Sequence, residues 1–138
     1  MTEYQFIGRG DSHIREPFFP WDHLAKALGI AVDYPKETIQ PTIYSMGKNA
    51  YHPERESVLK ALKKYQKRPV CLVLSHGEID MRCHFHKFGE TIKDAMKHMD
   101  SMVKNYFAYL RELKAAYPNI KVMVVYGVLP PNPFLREW

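Results

Sequence analysis

Four short apolar runs divide the chain, at residues 4–8, 42–46, 70–74 and 120–125. The runs at 70–74 and 120–125 are almost unbroken, which is typical of strands covered on both faces of a sheet. The run at 42–46 is rich in β-branched and aromatic residues and ends at Gly47, so it also predicts a strand. The pattern therefore predicts four strands.

Helical spacing fills three of the intervening segments, residues 13–29, 54–67 and 89–117. The first predicted helix ends at Gly29 and starts either at residue 13 or near Pro20, because prolines interrupt its first turns. The longest predicted helix carries one apolar stripe that we expect in the core. Its residues are Ile92, Ala95, Met96, Met99, Val103, Tyr106, Leu110 and Leu113.

Strands that alternate with helices, without hairpin signals, predict a parallel α/β sheet in one domain over residues 1–138. Residues 33–41, which are polar and contain prolines, predict a loop. Because the chain ends soon after the fourth strand, we expect a C-terminally incomplete domain that lacks its last strand. An open edge on the fourth strand would then invite a homodimer through that edge.

The composition, 46% apolar and 25% charged, is that of an ordinary globular domain. The net charge of +5 comes mostly from the helices predicted at 54–67 and 89–117, where a solvated outer face explains it, so we expect no nucleic-acid partner. No signal-peptide pattern or membrane-length apolar run is present, which favours a cytoplasmic protein with no membrane partner. Cys71 and Cys83 are then expected as free thiols.

Polar residues follow the predicted strands, and in a parallel sheet the carboxyl ends of the strands form the usual ligand-binding rim. The candidates after the first three strands are Asp11, Ser12, His13, Gly47, Asn49, His76, Glu78, Asp80, Arg82 and His84. A sheet needs none of the histidines for its stability, so we expect a functional rim.

Ser12 has two interpretations of equal weight. It can cap the helix that follows, as serine often does. Alternatively it is a nucleophile, because backbone N–H groups at a strand-to-helix turn point towards a ligand and can hold a developing oxyanion. Gly8 and Gly10 would let the backbone bend here without a Cβ clash.

The third loop gives a weaker signal. His84 and His86 could bind a metal together, but no third ligand is indicated, so we expect neither a metal nor a cofactor. Glu78, Asp80 and Arg82 predict a charge network that pins the loop through hydrogen bonds. Pinning and substrate recognition cannot be separated at this point.

The motifs "GDSH" after the first strand, Gly47 after the second and "GEID" after the third resemble the SGNH (GDSL-like) hydrolases, in their branch with GDSH and GEIDxR blocks. This resemblance covers the chain in order. It implies a flavodoxin-like three-layer α/β/α sandwich with a mostly parallel sheet. It also implies that Ser12 is the nucleophile and that the N–H groups of Ser12 and Gly47 line an oxyanion hole.

The chain departs from the family pattern in two places. Ile79 stands where the third block usually has an asparagine that donates to the oxyanion, and no Asp-x-x-His block follows the fourth strand. The base is therefore unassigned. Either the native chain continues and carries it, or His13, His76 or His84 replaces it, or the protein is a non-catalytic relative.

Two functions remain open. The first is a serine esterase or deacetylase that acts through Ser12 on an acylated small molecule or a glycan ester. The second is a catalytically silent binding or scaffold module that holds a polar or sugar-like ligand at the same rim.

Overall fold

A computed structural model describes residues 3–16, 19–37, 41–48, 51–77, 80, 87 and 89–126. Within these residues the chain alternates strands with helices, and a short 3₁₀ turn at Ser12–Ile14 follows the first strand. In chain order the elements are β1 (Gln5–Gly10), α1 (Trp21–Leu28), β2 (Ala31–Asp33), α2 (Ile43–Lys48), α3 (Pro53–Lys64), β3 (Val70–Ser75), α4 (Ile92–Ala116) and β4 (Ile120–Tyr126).

The four described strands form one sheet in the order β2-β1-β3-β4, and every pair is parallel. β1 pairs along its whole length with β3, from Gln5 beside Val70 to Gly10 beside Ser75. The prediction of a parallel α/β sheet is confirmed.

Alternate side chains of β3 enter two separate cores, because successive residues of a strand point to opposite faces of the sheet. Leu72 and Leu74 pack with residues of α2, α3 and α4 on one face. Cys71 and Val73 pack on the other face with Trp21 of α1. Helices therefore cover both faces, and the domain has three layers.

Cys71 carries a free, buried thiol, as predicted. Burial raises the pKa of this thiol above its ordinary value, so the reactive thiolate is disfavoured. Cys83 lies outside the described residues.

α1 begins at Trp21, so the chain adopts the later of the two predicted starts. Gly29 ends the helix in the left-handed conformation, with φ of 61°, which glycine adopts without steric cost. The ring of Trp21 lies so close to Gly8 that a Cβ on Gly8 would collide with it. Gly8 is therefore explained by the packing of Trp21 against β1.

Residues 43–48 form a helix, so the strand predicted at 42–46 is wrong. The N–H of Ser45 donates to Thr42 Oγ1 at 3.0 Å, and the N–H of Thr42 donates to Ser45 Oγ at 3.1 Å. This reciprocal cap satisfies N–H groups at the start of α2, and it outweighs the β propensity of the run. The Thr-x-x-Ser spacing is the signal that could have predicted the helix.

The second strand of the sheet is instead β2, which includes one residue of the loop predicted at 33–41. Arg9 of β1 fastens this short strand. Its Nη2 donates to Asp33 Oδ1 at 2.8 Å, and its Nη1 donates to the Asp33 carbonyl at 3.1 Å. β2 therefore depends on a side chain from the neighbouring strand.

The apolar stripe predicted on α4 is buried only in part. Ala95, Tyr106, Leu110 and Leu113 lie in the core as predicted. Ile92, Met96 and Val103 are 75%, 63% and 39% exposed, so the prediction is wrong for these three residues. A helix of 25 residues is about 38 Å long. The seven-residue strand β4 spans only about 23 Å, so α4 extends beyond the sheet that buries its stripe.

β4 is an edge strand in the part of the sheet that the structure describes. Its three valines, Val122, Val124 and Val125, are about two-fifths exposed, so the expectation that the run at 120–125 is covered on both faces is wrong. None of the described helices combines the length and the apolar character needed to cross a membrane.

Candidate functional site

The direction in which the chain crosses the sheet reverses between β1 and β3. After β1 the chain forms β2 on one side, and it later forms β3 on the other side. In open parallel sheets, ligands bind beyond the carboxyl ends of the strands at such a switch point. Residues 11–13 follow β1 and residues 75–77 include the end of β3, so they define the crevice where a ligand is expected.

Gly10 brings the ends of β1 and β3 into direct contact. Its φ is 152°, and a Cβ at this position would collide with the backbone of Ser75. The next residue, Asp11, donates its N–H to the Ser75 carbonyl oxygen at 2.8 Å. Glycine is required here because the two backbones approach closely, which agrees with the expectation that Gly10 avoids a Cβ clash.

The carboxylate of Asp11 is buried and organises the turn. Its Oδ1 accepts hydrogen bonds from the His13 N–H at 3.0 Å, from His13 Nδ1 at 3.1 Å and from Ser75 Oγ at 3.2 Å. The bond from the His13 N–H caps the 3₁₀ turn. Asp11, rather than Ser12, is therefore the cap, and the interpretation of Ser12 as a helix cap is wrong.

Ser12 is the first residue of the 3₁₀ turn and is only partly buried. Neither its hydroxyl nor its N–H has a hydrogen-bond partner among the described residues. In particular, no imidazole within that part of the chain forms a hydrogen bond with the Ser12 hydroxyl. The residue thus lies at the switch point with its hydroxyl and its N–H uncommitted to the described residues, while its carbonyl accepts the N–H of Arg15.

The ring of His13 is oriented by Asp11. Because a carboxylate only accepts hydrogen bonds, the 3.1 Å contact places a proton on Nδ1, so the lone pair of the neutral ring is on Nε2. The His13 side chain is 25% exposed, whereas that of Asp11 is 2% exposed. Tyr126 of β4 donates its hydroxyl to the His13 carbonyl at 3.3 Å, which holds the backbone of the turn from another strand.

His76 lies beneath the crevice rather than on its surface. Its Nδ1 is 2.7 Å from the hydroxyl of Tyr106, and its Nε2 is 3.5 Å from Glu54 Oε1, which is longer than an ordinary hydrogen bond. The ring is fully buried. Burial also raises the pKa of Tyr106, so its hydroxyl stays protonated at neutral pH. His76 is therefore engaged inside the core and forms no hydrogen bond with Ser12.

The buried polar atoms in this region that have no hydrogen-bond partner in the described structure include three of acidic or imidazole side chains. They are Asp11 Oδ2, Glu54 Oε1 and His76 Nε2. Buried polar groups are nearly always satisfied, so unsatisfied ones call for a ligand, a water molecule or a catalytic role. An unsatisfied buried oxygen such as Asp11 Oδ2 is expected where a ligand binds.

Gly47 does not follow a strand, because it lies inside α2. In an α-helix that starts at residue 43, the N–H of Gly47 points to the carbonyl of Ile43. A Cβ on Gly47 would come within 3.0 Å of the Asn105 side chain on α4. The glycine is explained by the close packing of two helices. The prediction that Gly47 follows a strand, on which its oxyanion role was based, is wrong.

Asp80 is buried and caps α2. Its Oδ2 accepts the N–H of Ile43 at 2.6 Å, and its Oδ1 is 3.4 Å from the N–H of Tyr44. A carboxylate at the first N–H groups of a helix stabilises it through hydrogen bonds and the helix dipole. Asp80 itself is therefore held against the first turn of α2. The other predicted candidates, Asn49, Glu78, Arg82 and His84, lie outside the described residues.

Two residues of this region, Ser75 and Glu54, were missed by the sequence reasoning. Ser75 donates its hydroxyl to Asp11. The only sequence signal for this role is the position of Ser75 at the end of an apolar strand. Glu54 is in the first turn of α3, where acidic residues are common for helix-dipole reasons, so its burial beside His76 had no sequence signal.

Comparisons with known proteins leave the family open. No protein-family model matches the chain, and no curated protein matches it either.

Among the described residues, no three histidine, cysteine, aspartate or glutamate side chains converge as ligands for a metal ion.

Proposed function

We propose that the protein is a serine hydrolase of the esterase or deacetylase type, which acts on an acylated small molecule or a glycan ester through Ser12. The proposal includes a flavodoxin-like fold of the SGNH-hydrolase kind. The strand order β2-β1-β3-β4 supports it, because flavodoxin-like sheets begin with this order. The free thiol of Cys71 is compatible with a cytoplasmic location.

The observation that carries the proposal is the position of Ser12 at the switch point with a hydroxyl that does no capping. Asp11 caps the turn in its place. A hydroxyl that stabilises nothing in the described structure, beside a buried carboxylate oxygen without a partner, fits a group kept for a ligand.

In the proposed reaction, Ser12 Oγ forms a bond to the acyl carbonyl carbon while its proton passes to a base. The ester C–O bond then breaks, and the alcohol leaves with that proton. Water hydrolyses the acyl-serine in a second step. The Ser12 N–H would donate to the carbonyl oxygen as it gains negative charge. With Gly47 removed from this role, a single identified donor remains, and each missing donor typically lowers the rate about 10²–10³-fold.

A fluorophosphonate probe tests the proposal, because it forms a stable adduct with an activated serine. We expect mass spectrometry to find the adduct on Ser12 and to find none in Ser12→Ala. Ser101→Ala, which removes an exposed serine of α4, is the matched control and should label like the wild type. A folded wild-type protein that forms no adduct and hydrolyses p-nitrophenyl acetate no faster than Ser12→Ala would exclude the hydrolase.

The second candidate is a catalytically silent module that binds a polar or sugar-like ligand in the same crevice. The observation in its favour is that no imidazole within the described residues forms a hydrogen bond with the Ser12 hydroxyl. This module would show no adduct on Ser12. It would nevertheless be stabilised against heat by its ligand, and Asp11→Asn would remove that stabilisation.

A further inference from the structure

We infer that His13, held by Asp11, is the general base that takes the proton from Ser12. This inference rests on the proposed hydrolase function. The base would then lie in the same 3₁₀ turn as the nucleophile.

The hydrogen bond between Asp11 and His13 fixes the form of the imidazole. Asp11 Oδ1 accepts from His13 Nδ1 at 3.1 Å, so Nε2 is the basic nitrogen. In a catalytic triad, a carboxylate orients the histidine in this way and also stabilises the imidazolium that forms. The pair thus has the protonation pattern that a base for a serine needs.

The surroundings hold this pair rigidly. Ser75 of β3 donates its hydroxyl to the same carboxylate oxygen, and Asp11 donates its own N–H to the Ser75 carbonyl. Tyr126 of β4 donates to the His13 carbonyl. Hydrogen bonds from two strands therefore fix the carboxylate and the backbone of the turn, which is the support that an orienting group requires.

The other described histidine near the crevice is unsuitable. His76 is fully buried, and its ring is enclosed by Tyr106 on one side and Glu54 on the other. His13 is a quarter exposed at the mouth of the crevice. A base must reach the proton directly or through one water, and catalytic hydrogen bonds often tighten only when substrate binds.

The proton balance of the step is complete without a further reactant. His13 Nε2 accepts the Ser12 proton as the Ser12 Oγ–carbon bond forms, and the imidazolium then donates it to the departing alcohol oxygen. In the second half, Nε2 takes a proton from the attacking water and returns it to Ser12 Oγ when the acyl–oxygen bond breaks.

The titratable groups near the Asp11–His13 pair include one from β4 and three in the core. Tyr126 reaches it from β4, and its pKa is raised by burial, so its hydroxyl stays protonated around neutral pH. His76, Glu54 and Tyr106 lie beneath it in the core. A pH dependence that disappears in a His13 variant therefore reports on His13.

The experiment measures the second-order rate of fluorophosphonate labelling at Ser12 as a function of pH. In the wild type we expect the rate to rise with pH, because Nε2 accepts the Ser12 proton only when the ring is neutral. His13→Gln should lower the rate about 10²–10⁴-fold and abolish this rise. His23→Gln, which removes an exposed histidine of α1, is the matched control and should behave like the wild type.

Asp11 is a positioning residue in this scheme, and a second measurement tests it. Nitrogen-15 NMR of the His13 ring should report the Nδ1–H form in the wild type and a mixture of tautomers in Asp11→Asn. The same variant should shift the pH profile of labelling, which a loss of folding stability would not do.

The outcomes separate the two proposals. If Ser12 labels at the wild-type rate and with the same pH profile in His13→Gln, the base assignment is wrong and the hydrolase proposal stands. If the folded wild type never labels and hydrolyses p-nitrophenyl acetate no faster than Ser12→Ala, the hydrolase proposal fails and the base assignment fails with it. Observation of the Nε2–H form in the wild type would also overturn the assignment.

Discussion

Arg9 is a buried cation in the centre of the sheet, and we expect its replacement by methionine to destabilise the fold strongly. Its guanidinium donates to Asp33 Oδ1 at 2.8 Å and to the carbonyls of Gly8 and Asp33 at 2.7 and 3.1 Å. It also donates to Ser57 Oγ of α3 at 3.0 Å. Methionine keeps the apolar stem but loses all four of these bonds.

The size of the effect follows from what remains around Asp33. Removing one partner of a fully buried ion pair costs about 3–5 kcal/mol, because the other charge stays buried. The side chain of Asp33 is 17% exposed, and Lys64 lies 3.4 Å from its Oδ2, so part of this penalty is relieved. We therefore expect Arg9→Met to lower the free energy of unfolding by about 2–4 kcal/mol. The corresponding loss in Tm is about 10 °C.

The acid dependence gives a second readout of the same contact. Burial alone would raise the pKa of Asp33, but the hydrogen bond and charge of Arg9, with help from Tyr65 and Lys64, lower it below the ordinary 3.8. A lowered folded pKa contributes stability that is present above the unfolded pKa and is lost as the pH falls through the folded pKa. The difference between wild type and Arg9→Met should therefore shrink below about pH 4.

Urea unfolding followed by circular dichroism measures both effects, at neutral pH and along an acid series. Lys104→Met is the matched control, because it breaks the exposed pair between Lys104 and Asp100 and should cost less than about 0.5 kcal/mol. The reasoning is refuted if Arg9→Met costs no more than this control. It is also refuted if the difference from the wild type stays constant down to the lowest pH.

Two further variants test other parts of the fold. Asp80→Ala removes one of the two caps of α2 and leaves the Thr42–Ser45 cap in place, so we expect a loss of about 1–2 kcal/mol. Amide exchange in α2 should become faster, with no such change in Asp100→Ala, and unchanged exchange in α2 would contradict the capping role. We also expect the chain to form a homodimer through the edge of β4, detected by sedimentation at rising concentration. Val124→Lys should shift it to monomer, since lysine on an edge strand blocks pairing, and a wild type that is monomeric throughout would contradict this.

The sequence predicted the elements that are determined by local pattern. The apolar run of β3 and the stop of α1 at Gly29 are correct because strand burial on both faces and a left-handed glycine have local signatures. The strand predicted at 42–46 is wrong because Thr42 and Ser45 cap each other at the start of a helix, and because Asp80, 37 residues away from Ile43, caps the same helix. β2 was missed because only three residues form it and its anchor, Arg9, lies on another strand.

The candidate site was predictable in its location and less so in its assignments. Parallel strands place the residues that follow β1 and β3 at one edge of the sheet, and the structure brings Asp11 and Ser75 into contact there. Which residue of the turn acts as its cap depends on side-chain rotamers, and periodicity contains no information about them. The assignment of Asp11 rather than Ser12, and the burial of His76 beside Tyr106, therefore required coordinates.

The contact between Gly10 and Ser75 has a consequence for how the crevice responds to heat. The turn that presents Ser12 is hydrogen-bonded to the last residue of β3, one of the two innermost strands. The turn therefore lacks the freedom of an ordinary surface loop, and it should lose its shape only when β1 separates from β3. Local melting of the crevice and global melting of the domain are then a single event.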